Sequence, residues 1–192
     1  MKKGGGKIKG GRFERSICVK LSLWVSHGGR KDLYWRSAMS GGRATVAKRK
    51  GDNLKSHAGD VTATAPEGHA LTDMFYFELK HHKNLQIDSF LVKDTGTLAK
   101  FWRDTVQYAK QYGKSPILIA KQNNMPTLVI ASPACRGMYQ HPILMRYIKG
   151  KNVPVMTSEV HLLSDILATK FQDLRWKPSR KTMKRLKLIR RG

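Results

Sequence analysis

The chain has 192 residues, and its 37 Lys and Arg residues outnumber 13 Asp and Glu residues, so the formal net charge is +24. This length suits one domain with a buried core, and a hydrophobic fraction of 40% argues against wholesale disorder. No apolar run reaches the roughly 18–20 residues of a membrane span, so we expect neither an integral membrane protein nor a membrane partner.

The excess of basic residues points to a polyanionic partner, and nucleic acid is the first candidate because each neutralised phosphate releases counterions. No secretory signal is visible behind the basic start of the chain. Two cysteines, Cys18 and Cys135, are too few for a disulfide scaffold or a four-cysteine zinc site. We therefore expect a cytoplasmic protein, located in the host cytoplasm if its source is a virus.

Three regions follow from the distribution of charge and glycine. Residues 1–11 are rich in lysine and glycine and predict a flexible basic arm. Residues 175–192 hold nine Lys and Arg residues and no acid, which predicts a basic C-terminal tail. Residues 12–174 lie between them and are expected to form a single domain.

The first half of this domain begins with apolar residues at helical spacing, which predict a helix over 12–26. A short strand is expected over 33–36, followed by a mobile basic loop over 40–55. Two β-rich runs, 61–65 and 74–80, flank a Pro-Glu-Gly turn and are expected to pair as a hairpin.

The second half predicts a helix over 97–112, strands over 116–120 and 127–131, and a last helix over 158–174 with Ser158 as its N-cap. The three tryptophans that fall on apolar stripes are expected in the core: Trp24, Trp35 and Trp102. The fold class predicted from this order is α/β, with a mixed central β-sheet flanked by helices.

The few acidic residues carry most of the functional signal. Asp60 lies at the start of the first hairpin strand, and Glu78 and Lys80 lie on the second. Residues two apart on a strand project to one face, so Glu78 and Lys80 point together while Leu79 points away. If the hairpin forms, Asp60 lies across from Glu78, and two carboxylates and an amine converge.

This set suits phosphodiester cleavage. Two carboxylates and a strand carbonyl, such as that of Leu79, are oxygen ligands of the kind that Mg²⁺ prefers. A bound metal lowers the pKa of a coordinated water and offsets negative charge on the transition state. The ammonium of Lys80 can orient the water and stabilise the same charge.

The pattern Gly59-Asp60 followed by Glu78-Leu79-Lys80 resembles that of the PD-(D/E)XK nuclease superfamily, which implies a restriction-endonuclease-like core. In this superfamily the first helix often carries a further metal-linked glutamate. On that resemblance Glu14 joins Asp60, Glu78 and Lys80 as catalytic, and the expected metal ligands are Asp60, Glu78, Leu79 and Glu14.

Two motifs and their position in the chain narrow the resemblance: Arg-Phe-Glu-Arg at 12–15 and Ser-Gly-Gly-Arg at 40–43 both precede the Asp and Glu-x-Lys motifs. Over about residues 11–121 the chain is similar to archaeal-type Holliday junction resolvases. The resemblance implies a homodimer that cuts four-way DNA junctions with Mg²⁺, for which Mn²⁺ can substitute. The expected DNA contacts are Arg15, Arg36, Ser40, Arg43 and the loop residues Lys48, Arg49, Lys50 and Lys55.

The sequence leaves two alternatives to a junction resolvase open. One is a restriction-like or repair endonuclease that acts on duplex or flap DNA. The other is a basic nucleic-acid-binding protein without catalysis, which explains the charge but not the clustering of scarce acids.

Overall fold

A computed structural model describes residues 5–37, 59–132, 144–149 and 154–171 of the chain. Side chains are described for 8–37, 59–132 and 158–171. The C-terminal tail and the predicted DNA contacts Ser40, Arg43, Lys48, Arg49, Lys50 and Lys55 lie outside these residues. Among the helices described, none is long and apolar enough to cross a membrane.

The elements follow one another in a mixed α/β order. The helices are α1 (Gly5–Val25), α2 (His69–Thr72), α3 (Ile87–Lys93), α4 (Gly96–Tyr112) and α5 (Leu163–Ala168). The strands are β1 (Tyr34–Arg36), β2 (Val61–Ala63), β3 (Phe75–His82), β4 (Ser115–Gln122), β5 (Thr127–Ala131), β6 (Leu144–Lys149) and β7 (Pro154–Leu162).

Within the described residues, five strands form the main sheet in the order β3-β4-β5-β7-β6, and β1 and β2 form a separate two-stranded ribbon. β3 and β4 are parallel and are joined through α3 and α4, as a parallel pair requires a crossover connection. The other pairs of the main sheet are antiparallel. β3 is an edge strand, so one of its sides is open to the Gly59–Asp60 segment.

Two apolar layers enclose the sheet, which confirms the predicted mixed sheet flanked by helices. On one face, Ile17, Leu21 and Trp24 of α1 pack with Phe77 and Leu79 of β3. On the other face, buried residues of α3 and α4 pack against β4, β5 and β7: Phe90, Leu98, Trp102, Leu118, Ile130 and Val160. Alternation along the strands assigns neighbouring residues to opposite layers.

The predicted helix over 97–112 and the strands over 33–36, 116–120 and 127–131 are confirmed within a few residues. α1 begins at Gly5 rather than at residue 12, so the segment predicted as a flexible arm is helical from Gly5 onward. The boundary of the arm therefore does not coincide with the start of the helix.

The predicted hairpin between 61–65 and 74–80 is wrong. β2 pairs antiparallel with β1, with Arg36 opposite Val61. The Pro-Glu-Gly segment is not a hairpin turn, since Pro66–Gly68 forms a 3-10 turn that leads into α2. Proline at the first position of a helical turn is favoured because its φ is already helical and its missing N–H needs no partner.

The predicted last helix over 158–174 is also wrong at both ends of its described part, since residues 158–162 belong to β7 and α5 ends at Ala168. Ser158 is not an N-cap but a buried residue of β7, and α5 begins only at Leu163. β7 lies between β5 and β6, and pairing on both sides outweighs the local capping signal.

Trp24 and Trp102 are buried as predicted, but Trp35 is 54% exposed, so its assignment to the core is wrong. Its neighbour Tyr34 takes the inward position on β1. Because strand residues alternate between faces, Trp35 must point outward.

Candidate active site

Asp60 is placed against the open edge of β3 by a backbone bridge and by a hydrogen bond to its side chain. Gly59 forms a parallel bridge with Phe77, and the Asp60 N–H donates to the Phe77 carbonyl over 2.7 Å. The N–H of Leu79 then donates to Asp60 Oδ2 over 2.8 Å. The Asp60 carboxyl is thus held beside the residue that separates Glu78 from Lys80.

Gly59 is required for this approach. Its φ is +90°, and a Cβ at this position would lie 2.5 Å from the carbonyl oxygen of Phe77. A residue with a side chain would be strained at this φ and would clash with Phe77 unless the backbone moved. The Gly-Asp pair is therefore a structural unit in which glycine allows the contact and aspartate uses it.

Glu78 and Lys80 share one face of β3, as predicted. Lys80 Nζ forms an ion pair with Glu78 Oε1, and the Tyr76 hydroxyl donates to Glu78 Oε2 over 3.2 Å. Leu79 points to the opposite face and belongs to the core beneath α1. Lys80 Nζ also lies 5.5 Å from the centre of the Phe101 ring. The ammonium therefore makes a cation–π contact in addition to its ion pair with Glu78.

The electrostatics of the site are dominated by the burial of carboxyl groups near one another. Burial first, and then the Glu78 carboxylate, raise the pKa of Asp60 to about 7 against the opposing effects of the Leu79 N–H and Lys80. Burial disfavours the charged form of Lys80, but Glu78 and Asp60 favour it, and the net pKa of Lys80 is raised. At neutral pH the ammonium is therefore charged, while Asp60 titrates.

Glu14 lies nearby on α1 and interacts with Arg36. Arg36 Nε is 3.1 Å from Glu14 Oε2 in an ion pair without hydrogen-bond geometry, since the buried Oε2 atom makes no hydrogen bond. Glu14 is close enough to raise the pKa of Asp60, although it is the weakest of the contributors. The structure thus places Glu14 beside the cluster, with Arg36 as its direct partner.

The predicted DNA contacts Arg15 and Arg36 lie on this side of α1. A Cβ on Gly11 would come within 2.7 Å of Arg36 Nη1 and 3.8 Å of Arg15 Nη1, so both guanidinium groups cross the same turn of the helix. Arg15 is exposed, whereas Arg36 is partly used by Glu14. Their role in binding DNA stays a prediction.

No set of three His, Cys, Asp or Glu side chains within the described residues is arranged as a ready metal site. The chemistry of the cluster nevertheless fits a hard divalent cation, because Asp60 and Glu78 supply carboxylate oxygens and Leu79 supplies a carbonyl. The structural observation behind this fit is that the Asp60 carboxyl is buried beside Glu78, because a bound cation offsets both the burial of its charge and its repulsion by Glu78.

Sequence reasoning missed Tyr76 and the pairing of Glu14 with Arg36. Tyr76 stands two residues before Glu78, so the alternation rule that joined Glu78 to Lys80 could have found it. Its ring stacks on Tyr112 at 5.9 Å and on Tyr108 at 6.3 Å. Arg36 could not have been assigned to Glu14 from spacing, because the contact joins a helix to a separate ribbon.

The mixed sheet, its flanking helices and the Asp and Glu-x-Lys cluster at an edge strand define the class as a restriction-endonuclease-like nuclease fold. Residues 5–183 match the model of a family described as "Phage putative PDDEXK endonuclease". The chain therefore belongs to this phage PD-(D/E)XK endonuclease family. No curated protein and no solved structure matched the chain.

Proposed function

We propose that the protein is a Mg²⁺-dependent DNA endonuclease that hydrolyses phosphodiester bonds in branched DNA, with four-way junctions as the favoured substrate. Mn²⁺ is expected to substitute for Mg²⁺. The observation that carries the proposal is the meeting of Asp60, Glu78 and Lys80 at the open edge of β3.

In this proposal Asp60, Glu78 and the Leu79 carbonyl hold the divalent ion. When bound, the ion lowers the pKa of a coordinated water and offsets negative charge on the phosphate. Lys80 places a fixed ammonium beside Glu78, where it can orient the attacking water and stabilise negative charge on the phosphoryl oxygens. Tyr76 fixes the second oxygen of Glu78.

Glu14 acts through Arg36 in this account. Its carboxylate holds the guanidinium near Gly11, and Arg36 and Arg15 then present positive charge beside the cluster for a DNA phosphate. Glu14 has a second proposed role as a contributor to the metal site, because it lies close enough to raise the pKa of Asp60 and its buried Oε2 atom has an ion pair with Arg36 but no hydrogen bond.

The preference for branched DNA rests on the similarity of the motifs to archaeal-type Holliday junction resolvases and on the net charge of +24. A homodimer places two equivalent sites in a symmetric arrangement, as symmetric cutting of two strands requires. In this proposal the enzyme acts in the cytoplasm, which for a phage protein is that of the host.

The test compares labelled four-way, flap and linear duplex DNA, each with Mg²⁺ and with a chelator. We expect metal-dependent cutting that is strongest on the four-way junction and is lost in Asp60→Asn and Glu78→Gln, while junction binding stays intact or tightens. If linear duplex is cut equally well, the protein is better described as a restriction-like or repair endonuclease than as a junction resolvase. Binding of DNA without any metal-dependent cutting would favour the non-catalytic alternative.

A further inference from the structure

A groove of about 540 Å³ runs between α1 and the ends of β3 and β4. The residues of its wall that matter here are Lys9, Arg12, Phe13, Lys20, His81 and Lys121. We call this the basic groove. None of the described residues that line it is acidic.

Carboxylates of the described residues do not neutralise the positive charge of the basic groove. Among the described residues, no carboxylate lies within ion-pair distance of Arg12, Lys20 or Lys121. Lys121 Nζ donates to the carbonyl oxygen of Met125, and Lys9 Nζ donates to the side-chain oxygen of Asn123. These neutral acceptors position the two ammonium groups without neutralising them, so the groove favours an anion.

The groove also has an aromatic and aliphatic wall. The partly buried Phe13 ring, which also packs against the core beneath α1, lies 5.3 Å from the His81 ring, and Ile8, another lining residue, is 60% exposed. A continuous DNA duplex stacks its base faces on one another and offers mainly phosphates to such a surface. An unpaired strand offers phosphates to the cations and base faces to the ring, which is the combination used for single-stranded nucleic acid.

The basic groove begins one residue from the candidate active site on two elements. His81 follows Lys80 on β3, and Phe13 precedes Glu14 on α1. At about 3.3 Å per strand residue, His81 lies roughly 10 Å along β3 from Glu78. His81 and Leu79 share the face of β3 that lies under α1, whereas Glu78 and Lys80 point to the other face, so a strand bound in the groove reaches the cluster by passing around the edge of β3.

We propose that the basic groove is a binding site for an unpaired stretch of single-stranded DNA, which it guides to the catalytic cluster. The inference rests on the proposed function only for the identity of the polyanion as DNA. It refines the substrate: the cut strand is unpaired beside the branch point, which a four-way junction provides where base pairs at its crossover open.

The test measures binding of a fluorescein-labelled 12-nucleotide oligothymidylate in the presence of a chelator, so that cutting plays no part. The double variant Arg12→Ala with Lys20→Ala removes two exposed cations from the groove. Lys31→Ala with Lys93→Ala removes two exposed cations elsewhere and is the matched control. We expect at least a tenfold loss of affinity near 0.1 M salt for the groove variant and less than a twofold loss for the control.

The salt dependence sharpens the comparison. Loss of two phosphate contacts to a single strand makes the negative slope of log K against log salt shallower by about 1.4. Phe13→Leu retains an apolar side chain and tests stacking separately, with an expected loss of about fivefold or more. Equal losses in the groove and control variants, with an unchanged Phe13→Leu, would overturn the inference.

The two proposals fail in different ways. If the groove variants bind oligothymidylate normally and the protein still cuts branched DNA, the proposed role of the groove is wrong and the proposed nuclease activity stands. If binding depends on the groove but the protein never cuts DNA, the proposed role of the groove is supported and the proposed nuclease activity is wrong.

Discussion

The backbone N–H of Leu79 donates to Oδ2 of Asp60 over 2.8 Å, although 19 residues separate them along the chain. The donor belongs to the residue between Glu78 and Lys80, so this hydrogen bond fixes the spacing of the whole cluster. The Asp60 main chain is anchored to Phe77 as well, and the carboxyl therefore has little freedom to move away from β3.

Gly59→Ala tests whether the close approach to Phe77 positions Asp60. The Cβ would lie 2.5 Å from a carbonyl oxygen at a backbone φ of +90°, so we expect a loss of about 1–3 kcal/mol in unfolding free energy and loss of cutting. Gly28→Ala is the matched control, because Gly28 has a φ of +87° but nothing within 4 Å of its added Cβ. If denaturant unfolding shows equal losses of unfolding free energy for both variants, the contact with Phe77 is not what makes glycine necessary at position 59.

Asp60→Asn tests the electrostatic state of the site through stability. The folded-state pKa of Asp60 is raised to about 7, above its ordinary value of 3.8, so the folded protein binds more protons than the unfolded chain between these values. In the metal-free protein this group therefore weakens stability as pH rises through that window. We expect the unfolding temperature of Asp60→Asn, measured relative to that of the unsubstituted protein, to rise from pH 4 to pH 8.

The same scan with Mg²⁺ present checks the sign. A cation that binds the ionised carboxyl stabilises the folded state, so the advantage of the asparagine variant should shrink or reverse at pH 8. A stability difference that does not change between pH 4 and pH 8 would show that the pKa of Asp60 is not raised in the folded protein.

Lys80→Ala tests whether the ammonium acts in the chemical step. Its charge lies beside Glu78 and over the Phe101 ring, within the cluster rather than on an outer surface. We expect single-turnover cutting to slow by about 100-fold or more, with DNA affinity changed less than threefold. If the variant loses affinity but cuts bound DNA at the normal rate, Lys80 instead binds the phosphate backbone of the DNA.

Tyr76→Phe tests the second hydrogen bond to Glu78. Burial and then the Glu78 carboxylate raise the pKa of Tyr76, so its hydroxyl stays protonated and donates. We expect a several-fold higher Mg²⁺ requirement for cutting and a stability loss of about 1 kcal/mol. Tyr34→Phe is the control, because the buried Tyr34 hydroxyl has no hydrogen-bond partner among the described residues and its removal should leave stability equal or higher.

The sequence predicted the meeting of Asp60 and Glu78 correctly but for the wrong structural reason. Alternation along β3 was sufficient to place Glu78 with Lys80 and Leu79 away from them, since it is a local rule. The hairpin that was expected to bring Asp60 across does not form, and a parallel bridge from Gly59 to Phe77 does this instead. Strand pairing is decided by contacts far apart in sequence, which one chain's local pattern does not encode.

The errors at Ser158 and Trp35 have the same origin. A serine followed by an acid is a good helix start, but pairing of β7 with both neighbours decides the structure there. Trp35 is hydrophobic, yet β1 buries Tyr34 and so turns Trp35 outward. The long helix over 97–112 was predictable because its apolar stripe and its glycine stop are both local signals.

Binding of Mn²⁺ followed by electron paramagnetic resonance tests most directly whether one cation joins Asp60 to Glu78. The unsubstituted protein should bind the ion more tightly as pH rises past about 7, as Asp60 loses its proton, while Asp60→Asn and Glu78→Gln should each weaken binding by tenfold or more. Binding of equal strength in all three proteins would contradict the account.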